Sequence, residues 1–545
     1  MYLRTSPARI RTTIGGVHRA RAAVALVVVA LVAAGCSSSG DADPGPTATT
    51  PSTDGPTSST QLVDPDAASV VTQTATLGGV DLTLTVGPVA VADGVGILRV
   101  AAAPTGGEGA VDLSERFGLS WTAGDTIDAV RLVDLPDGRV YLPAMDAEGA
   151  SIGSEGNTYL RPGDGSETFF VAFAAPTAGS VSVMVPGVAL FDAVPVLDAA
   201  DAPSVAPLTD LTSVPAAKLT LASPALDSFT QDVAGQVSTR VADDVTVAID
   251  SDVLFATASA SLSPEADGAL VSAGDQLARF PVGTMRVVGH TDDVGDAAEN
   301  QVLSEQRAQA VTDRLGQLVD LSAYSVTVEG MGATQPVAEG TSDEARALNR
   351  RVELVIEASA PGEATSTVVA DLPPAQGPEA AGSDGVSIVQ PRDGQTELTW
   401  DVKLDHVRRV DGAIVGDVQL TNTGTEAAYS VTAFGGTTWD ARGEGSASLI
   451  TGATKLTLLS GGMRLYPLDY VIDDSLYNVD GSGREPLADR QLPPVEAGET
   501  IIVTVVWPDV PGDTVVLDSA TVTTESGLTG DFGPAFRLTG VPVVG

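Results

Sequence analysis

What most limits the fold of this chain is a change in hydrophobic period. Over residues 62–198 and again over 386–545, apolar residues fall at every second position in short runs, such as Val80-Asp81-Leu82-Thr83-Leu84-Thr85-Val86 and Ser180-Val181-Ser182-Val183-Met184-Val185. Gly, Pro or Asp breaks each run, the pattern of antiparallel strands with one buried face, joined by turns. From residue 244 to 358 the pattern shifts. Residues 245–249, 285–289, 325–329 and 352–356 read as strands, with helical stretches between them. Ser263-Pro264-Glu265 offers an N-cap, a proline at N1 and an acid in the first turn of a helix reaching about residue 280. A second helix spans about 299–318, and Thr341 with Glu344 forms a capping box for a short third one.

A chain of 545 residues is too long for one core. We therefore expect a multidomain protein: a β-sandwich at 62–198, an α/β domain at 244–358 in the order β-α-β-α-β with an extra short helix and strand, and a second β-sandwich at 386–545. The Pro- and Ala-rich stretches 199–243 and 359–385 read as linkers. With only 4% aromatic residues, many short strands with small side chains are favoured over a few aromatic cores.

The two sandwiches look alike. Gly94-Val95-Gly96-Ile97-Leu98-Arg99-Val100 parallels Gly412-Ala413-Ile414-Val415-Gly416-Asp417-Val418-Gln419-Leu420, and Arg139-Val140-Tyr141-Leu142-Pro143 parallels Arg464-Leu465-Tyr466-Pro467. Glu167-Thr168 before Phe169-Phe170-Val171 parallels Glu499-Thr500 before Ile501-Ile502-Val503. A duplication of one module is expected. Both resemble the immunoglobulin-like modules of bacterial surface lipoproteins, a likeness that implies architecture and leaves their protein or glycan ligand unassigned.

Charge and motifs exclude several functions. Lys and Arg total 29 against 71 acids, a net charge of −42, so no nucleic acid is expected as a partner. There is no G-x-S-x-G, S-x-x-K or H-E-x-x-H, and beyond His18 the histidines are His290 and His406. Asp473, Asp474, Asn478 and Asp480-Gly481 miss the spacing of a calcium loop. Gly330-Met331-Gly332 lacks the third glycine of a dinucleotide fingerprint and reads as a turn. The expectation is no enzyme, no cofactor and no metal.

The first 36 residues read as an address. Arg4, Arg9, Arg11, Arg19 and Arg21 precede an apolar run at 22–34, and no acid occurs before Asp41, as in a secretory signal. At about 1.5 Å per residue that run covers about 20 Å of helix, short of a membrane span. Leu31-Val32-Ala33-Ala34-Gly35-Cys36-Ser37 resembles the lipobox of bacterial lipoproteins, with Ala33 where Leu is usual. The resemblance implies cleavage after residue 35 and acyl chains on Cys36, the sole cysteine; an ordinary signal beside a free thiol is the other reading. Residues 36–61, almost all Ser, Thr, Pro, Gly, Asp and Ala, read as a disordered tether. Without residues 1–35 the chain keeps 24 bases against its 71 acids.

The second helix of the α/β block carries an anomaly. At about 100° per residue, with Leu303 at zero, Val311 lies near 80°, Leu318 and Asn300 near 60° and Arg307 near 40°. Arg307 thus sits on the apolar stripe. A charge there needs a partner, and the preceding loop offers Asp292 and Asp293.

Five ordered segments then carry a resemblance: Leu254-Phe255 with Ser259 to Pro264, Val288-Gly289-His290-Thr291-Asp292-Asp293-Val294-Gly295, Asn300 to Ala308, Gly330 to Pro336, and Asn349-Arg350-Arg351-Val352-Glu353. Together they resemble the OmpA-like peptidoglycan-binding domain; Ala256 stands where that family commonly has Asp. The resemblance implies non-covalent binding of the diaminopimelate side chain of peptidoglycan stem peptides. Asp292 would take the ammonium and Arg307 the carboxylate. Asn300 falls on the family's helix-start position, and backbone amides around Asp293, Val294 and Gly295 would complete the carboxylate site. On the residues alone, Asp292 and Arg307 fit equally well a buried pair that fixes the loop on the helix. His290 reads as a strand-end residue flanking the site, and Arg350 and Arg351 as solvated or paired with local acids.

The function expected is a lipid-anchored envelope protein, exported by the general secretory route to the cell outer membrane or the outer face of the cytoplasmic membrane, that ties membrane to peptidoglycan. The alternative is a surface adhesin or polysaccharide-binding lipoprotein whose central domain only anchors it to the wall.

Overall fold

A computed structural model describes residues 70–545 apart from 118–126, 155, 243, 281–282, 358–371, 391–395, 430–433, 435–452, 473–482, 490–493 and 520–533. Cys36, the signal-like segment, the tether and the Asp473–Asp480 acids lie outside the described residues.

The alternating runs form strands as expected. In the first module, seven strands run in the order Arg139–Tyr141, Arg131–Asp134, Ser180–Val185, Ala189–Asp198, Val80–Ala92, Val95–Gly107, Glu167–Ala174, with Val71–Leu77 also paired to Val80–Ala92. They enclose one core that includes Leu82, Leu84, Leu98, Phe169, Phe173 and Phe191. Strand Ala189–Asp198 runs antiparallel to Ser180–Val185 as far as Pro195, across an irregularity between Phe191 and Val194, and its last residues, Val196, Leu197 and Asp198, pair in parallel with Val80–Ala92.

The C-terminal module repeats the local motifs. Val95–Gly107 pairs with Glu167–Ala174 so that Val100 faces Phe169, and Ala413–Asn422 pairs with Thr500–Pro508 so that Leu420 faces Ile501. Both inner strands are entered by a two-residue Asp-Gly turn, Asp93-Gly94 (φ 50° and 79°) and Asp411-Gly412 (φ 46° and 81°). Positive φ at both positions is the turn whose twist matches a hairpin, and Asp-Gly is a preferred pair for it.

In the central block the sheet order is Leu226–Asp232, Val237–Val241, Asp244–Asp250, Arg351–Glu357, Gly283–His290, Tyr324–Gly332; only the last two are mutually parallel. Helices Ala266–Leu277 and Ala297–Leu318 bury Leu270, Ala273, Leu277, Ala308, Val311 and Leu315 against Val247, Ile249, Met285, Val287, Leu354 and Ile356. Local chemistry differs from expectation in three places. Glu265, not Ser263, is the residue before the first of these helices, although Ser263 Oγ still accepts from Ala266 N at 3.1 Å. The short helix Asp343–Asn349 is capped by Ser342, whose side chain accepts from Ala345 N, rather than by Thr341. Gly330 and Gly332 end a strand instead of forming a turn.

The largest difference concerns the expected linkers. Residues 199–243 contain a hairpin, Leu226–Asp232 with Val237–Val241, that extends the central sheet. Before it, the chain bonds to the first module: Leu142 N donates to Ala222 O, Val140 N to Pro224 O, and Met145 bridges Thr220. From Leu226 onward it pairs with the C-terminal module, Leu226 with Tyr470, Asp227 with Asp469, Thr230 with Leu465 and Gln231 with Arg464. The segment is therefore a strap that runs along the matching strands of both modules in turn. Its prolines, Pro203, Pro207, Pro215 and Pro224, precede the hairpin and mask its period. In 359–385, Glu379–Ala381 likewise pairs with Phe536–Val544. Val133, Val140, Leu142 and Leu190 pack against Val415, Leu468, Tyr470 and Val506, closing the two β modules on each other.

Candidate functional site

The site is built where the long helix meets the sheet. Gly289 and Gly330 face each other across the parallel pair. A Cβ on Gly289 would come within 2.0 Å of Ser304 O, and one on Gly330 within 2.5 Å of Glu305 N. Two bare glycines thus let the helix backbone rest directly on the strands. Ser304 Oγ locks this seat, donating to Gln301 O and accepting from Gly332 N, each at 2.9 Å. One turn further on, Arg307 is carried inward to 4% exposure.

Arg307 is held on one side only. Its Nε donates to Ser259 O at 3.0 Å and its guanidinium lies over the Phe255 ring, 5.1 Å from the centroid. Among the described residues Nη1 and Nη2 have no hydrogen-bond partner, and neither is among the buried side-chain nitrogens sealed from solvent. Burial pushes this guanidinium below its ordinary value, an effect that Asp252 and Asp292 oppose.

Asp292 and Arg307 do not form the buried pair that spacing alone allowed. Asp292 Oδ2 accepts from Arg350 Nη1 at 2.8 Å, and its Oδ1 accepts from Val294 N at 3.1 Å. Arg350 is anchored in turn by Asp252, Nε to Oδ1 at 2.8 Å and Nη2 to Oδ2 at 2.5 Å, and these acids raise its pKa against the opposing effect of burial. The Val294 amide is therefore spent on Asp292. Asn300 Nδ2 donates to Val294 O at 3.0 Å and to Asp292 O at 3.4 Å, so it fastens the loop to the helix start. Gly295 turns the loop at φ 101°, a conformation that disfavours side chains. Asp293 faces away and pairs with Arg346 at 2.7 Å, which holds its carboxyl below the usual range.

Behind the loop, His290 is 1% exposed and its Nε2 lies 3.3 Å from Glu353 Oε2. Burial would push Glu353 up, but His290 and Arg351 outweigh it and hold the carboxyl at about 2. Asn349 clamps the neighbouring loop, accepting from Val337 N and Ala338 N and donating to Ala338 O. On sequence grounds Arg350 is one of two arginines that are solvated or paired with local acids. Its place as the partner of Asp292 carries no signal beyond the Asn349-Arg350-Arg351 run.

The arrangement sets a buried guanidinium with an unused fork near a carboxylate whose lone pairs are only partly used. A planar carboxylate fits the first and an ammonium the second. Residues 254–350 match the sequence model described as the OmpA family. This segment is an OmpA-like domain. The domain is 35% identical over 117 residues to outer membrane porin F of Pseudomonas fluorescens, covering 21% of this chain and 35% of the porin. It is 33% identical over 108 residues to the outer-membrane lipoprotein YfiB of Pseudomonas aeruginosa, covering 20% of this chain and 64% of the relative. A solved structure of the cell wall anchor of the type VI secretion system from Pseudomonas aeruginosa is 37% identical, with 23% of this chain and 90% of that chain covered and a TM-score of 0.21. The chain spans less than two thirds of the length of these curated relatives, and the β modules lie outside the family match.

Proposed function

We propose that this chain is a non-enzymatic, lipid-anchored protein of the cell envelope whose OmpA-like domain binds peptidoglycan without a covalent bond and so ties membrane to wall. The observation that carries the reading is Arg307, a buried cation fixed through Nε, with both terminal nitrogens unpaired among the described residues. A buried charge left with open donors calls for an anionic partner. Diaminopimelate presents a carboxylate and an ammonium on one carbon, the first for Arg307 and the second for Asp292. The relatives support an envelope setting, since they include an outer-membrane lipoprotein and an outer membrane porin. The lipid anchor rests on the lipobox-like segment ending at Cys36.

Sedimentation with purified peptidoglycan tests the reading. Arg307→Ala and Asp292→Asn should each weaken binding by about 2–5 kcal/mol, the loss usual when one partner of a buried charged contact is truncated. Equal pelleting of both folded variants and the native chain overturns it. Cys36→Ser should move the protein from the membrane to the soluble fraction.

A further inference from the structure

The strap and the central sheet enclose a cavity of about 430 Å³ that the wall-binding reading does not use. In strand Asp244–Asp250 the odd residues Val245, Val247 and Ile249 enter the helical core, and the even residues Thr246, Ala248 and Asp250 line the cavity. The hairpin, which lies outside the family match, supplies Phe229, Gln236 and Ser238, and the loop and helix on the far side supply Val337 and Leu348. The volume is that of a small-molecule site.

Its wall chemistry selects the ligand. Arg240, Arg350 and Arg351 reach the cavity, yet each is already matched: Arg240 by Asp227 at 2.7 Å, Arg350 by Asp252 and Asp292, Arg351 by Glu353 at 2.7 Å. An anion would find no open guanidinium fork there, and of the two lining carboxylates Glu353 is spent on Arg351 and His290, which leaves a cation a single oxygen of Asp250. What is open is neutral or accepting. Among the described residues the Gln236 amide and the Ser238 and Thr246 hydroxyls have no side-chain partner, and Asp250 uses one carboxylate oxygen on Asp252 N at 2.8 Å, leaving the other. Amide, hydroxyls and a carboxylate acceptor beside apolar edges suit a ring bearing many hydroxyls. We propose that this cavity is a second binding site and that its ligand is an uncharged saccharide unit.

Calorimetric titration of the full chain with two probes tests this: the trisaccharide of N-acetylglucosamine and that of glucose. One-to-one binding of either supports the site, and the difference between them tells whether an acetamido group is read. Ala248→Phe, which drives a ring into the cavity, should weaken that binding at least tenfold; Thr246→Val with Gln236→Ala is the milder variant should the first fail to fold by circular dichroism. No binding of either sugar, or binding by a folded variant equal to that of the native chain, overturns the proposal.

Discussion

Arg350, and not Arg307, is the cation bonded to Asp292, with Nη1 2.8 Å from Oδ2. The guanidinium of Arg350 bridges Asp292 and Asp252, so one side chain ties the loop after strand Gly283–His290 to the short helix Ser251–Leu254. That leaves Arg307 available.

Arg350→Lys should therefore behave almost as Arg350→Ala does. A lysine ammonium is a point charge and cannot reproduce a fork shared between two carboxylates. We expect either change to lower peptidoglycan affinity by less than Arg307→Ala does, since it loosens Asp292 without removing a ligand contact. Pelleting of the three variants side by side measures the order.

Gly289→Ala and Gly330→Ala should lift the helix from the sheet, because each new Cβ meets helix backbone or the Ser304 hydroxyl rather than a flexible side-chain end. Overpacking of this kind costs about 1–3 kcal/mol. Urea denaturation gives the cost, and wall binding should fall with it, as Arg307 is carried on the displaced helix.

Arg484 sits buried between Asp227 of the strap and Asp469 of the C-terminal module, at 2.7 and 2.6 Å. Arg484→Ala withdraws the buried cation from both acids, of which Asp227 keeps Arg240 at 2.7 Å, and should cost about 3–5 kcal/mol. A lowered thermal midpoint together with faster proteolysis within residues 199–243 is the expected result.

Asp489 gives the pH dependence. Burial pushes its carboxyl up to about 7, against the pull of Thr504 N and Gly187 N, and its Oδ1 is buried without a partner among the described residues. Between its ordinary value of 3.8 and about 7 the folded chain holds a proton that the unfolded chain lacks, so stability falls as pH rises through that window. Asp489→Asn keeps an oxygen for both amides and removes the charge. It should abolish this fall and raise stability at pH 8, as read from denaturation midpoints across pH 4–8.

The central domain was readable because its strands and its longer helices carried their own local signals, whereas the one-turn helix Ser251–Leu254 did not. The apolar stripe of Ala297–Leu318 and the strand runs agreed with the packing to within a few residues at each end, while the caps fell one or two residues from the expected positions. The misplaced arginine on that stripe marked the site, since a charge on a core face demands an explanation. The ion partners were not readable. Asp292 lies 15 positions from Arg307 and 58 from Arg350, and only the folded sheet brings strand Arg351–Glu357 beside the loop. The strap is hidden for a related reason, because strand pairing across modules leaves no periodic trace and prolines obscure the hairpin's start. The Asp-Gly turns before Val95 and Ala413 are in plain view in the sequence.

The strap also has a mechanical meaning. A pull between the wall and the first module crosses residues 199–225 and enters the sheet at strand Leu226–Asp232, which is stitched on one edge to Val237–Val241 and on the other to Met463–Leu465 and Asp469–Val471. Load reaching that strand is divided between two neighbours. The C-terminal module then serves as a brace, since extending the chain at this point requires stripping backbone bonds from both edges at once.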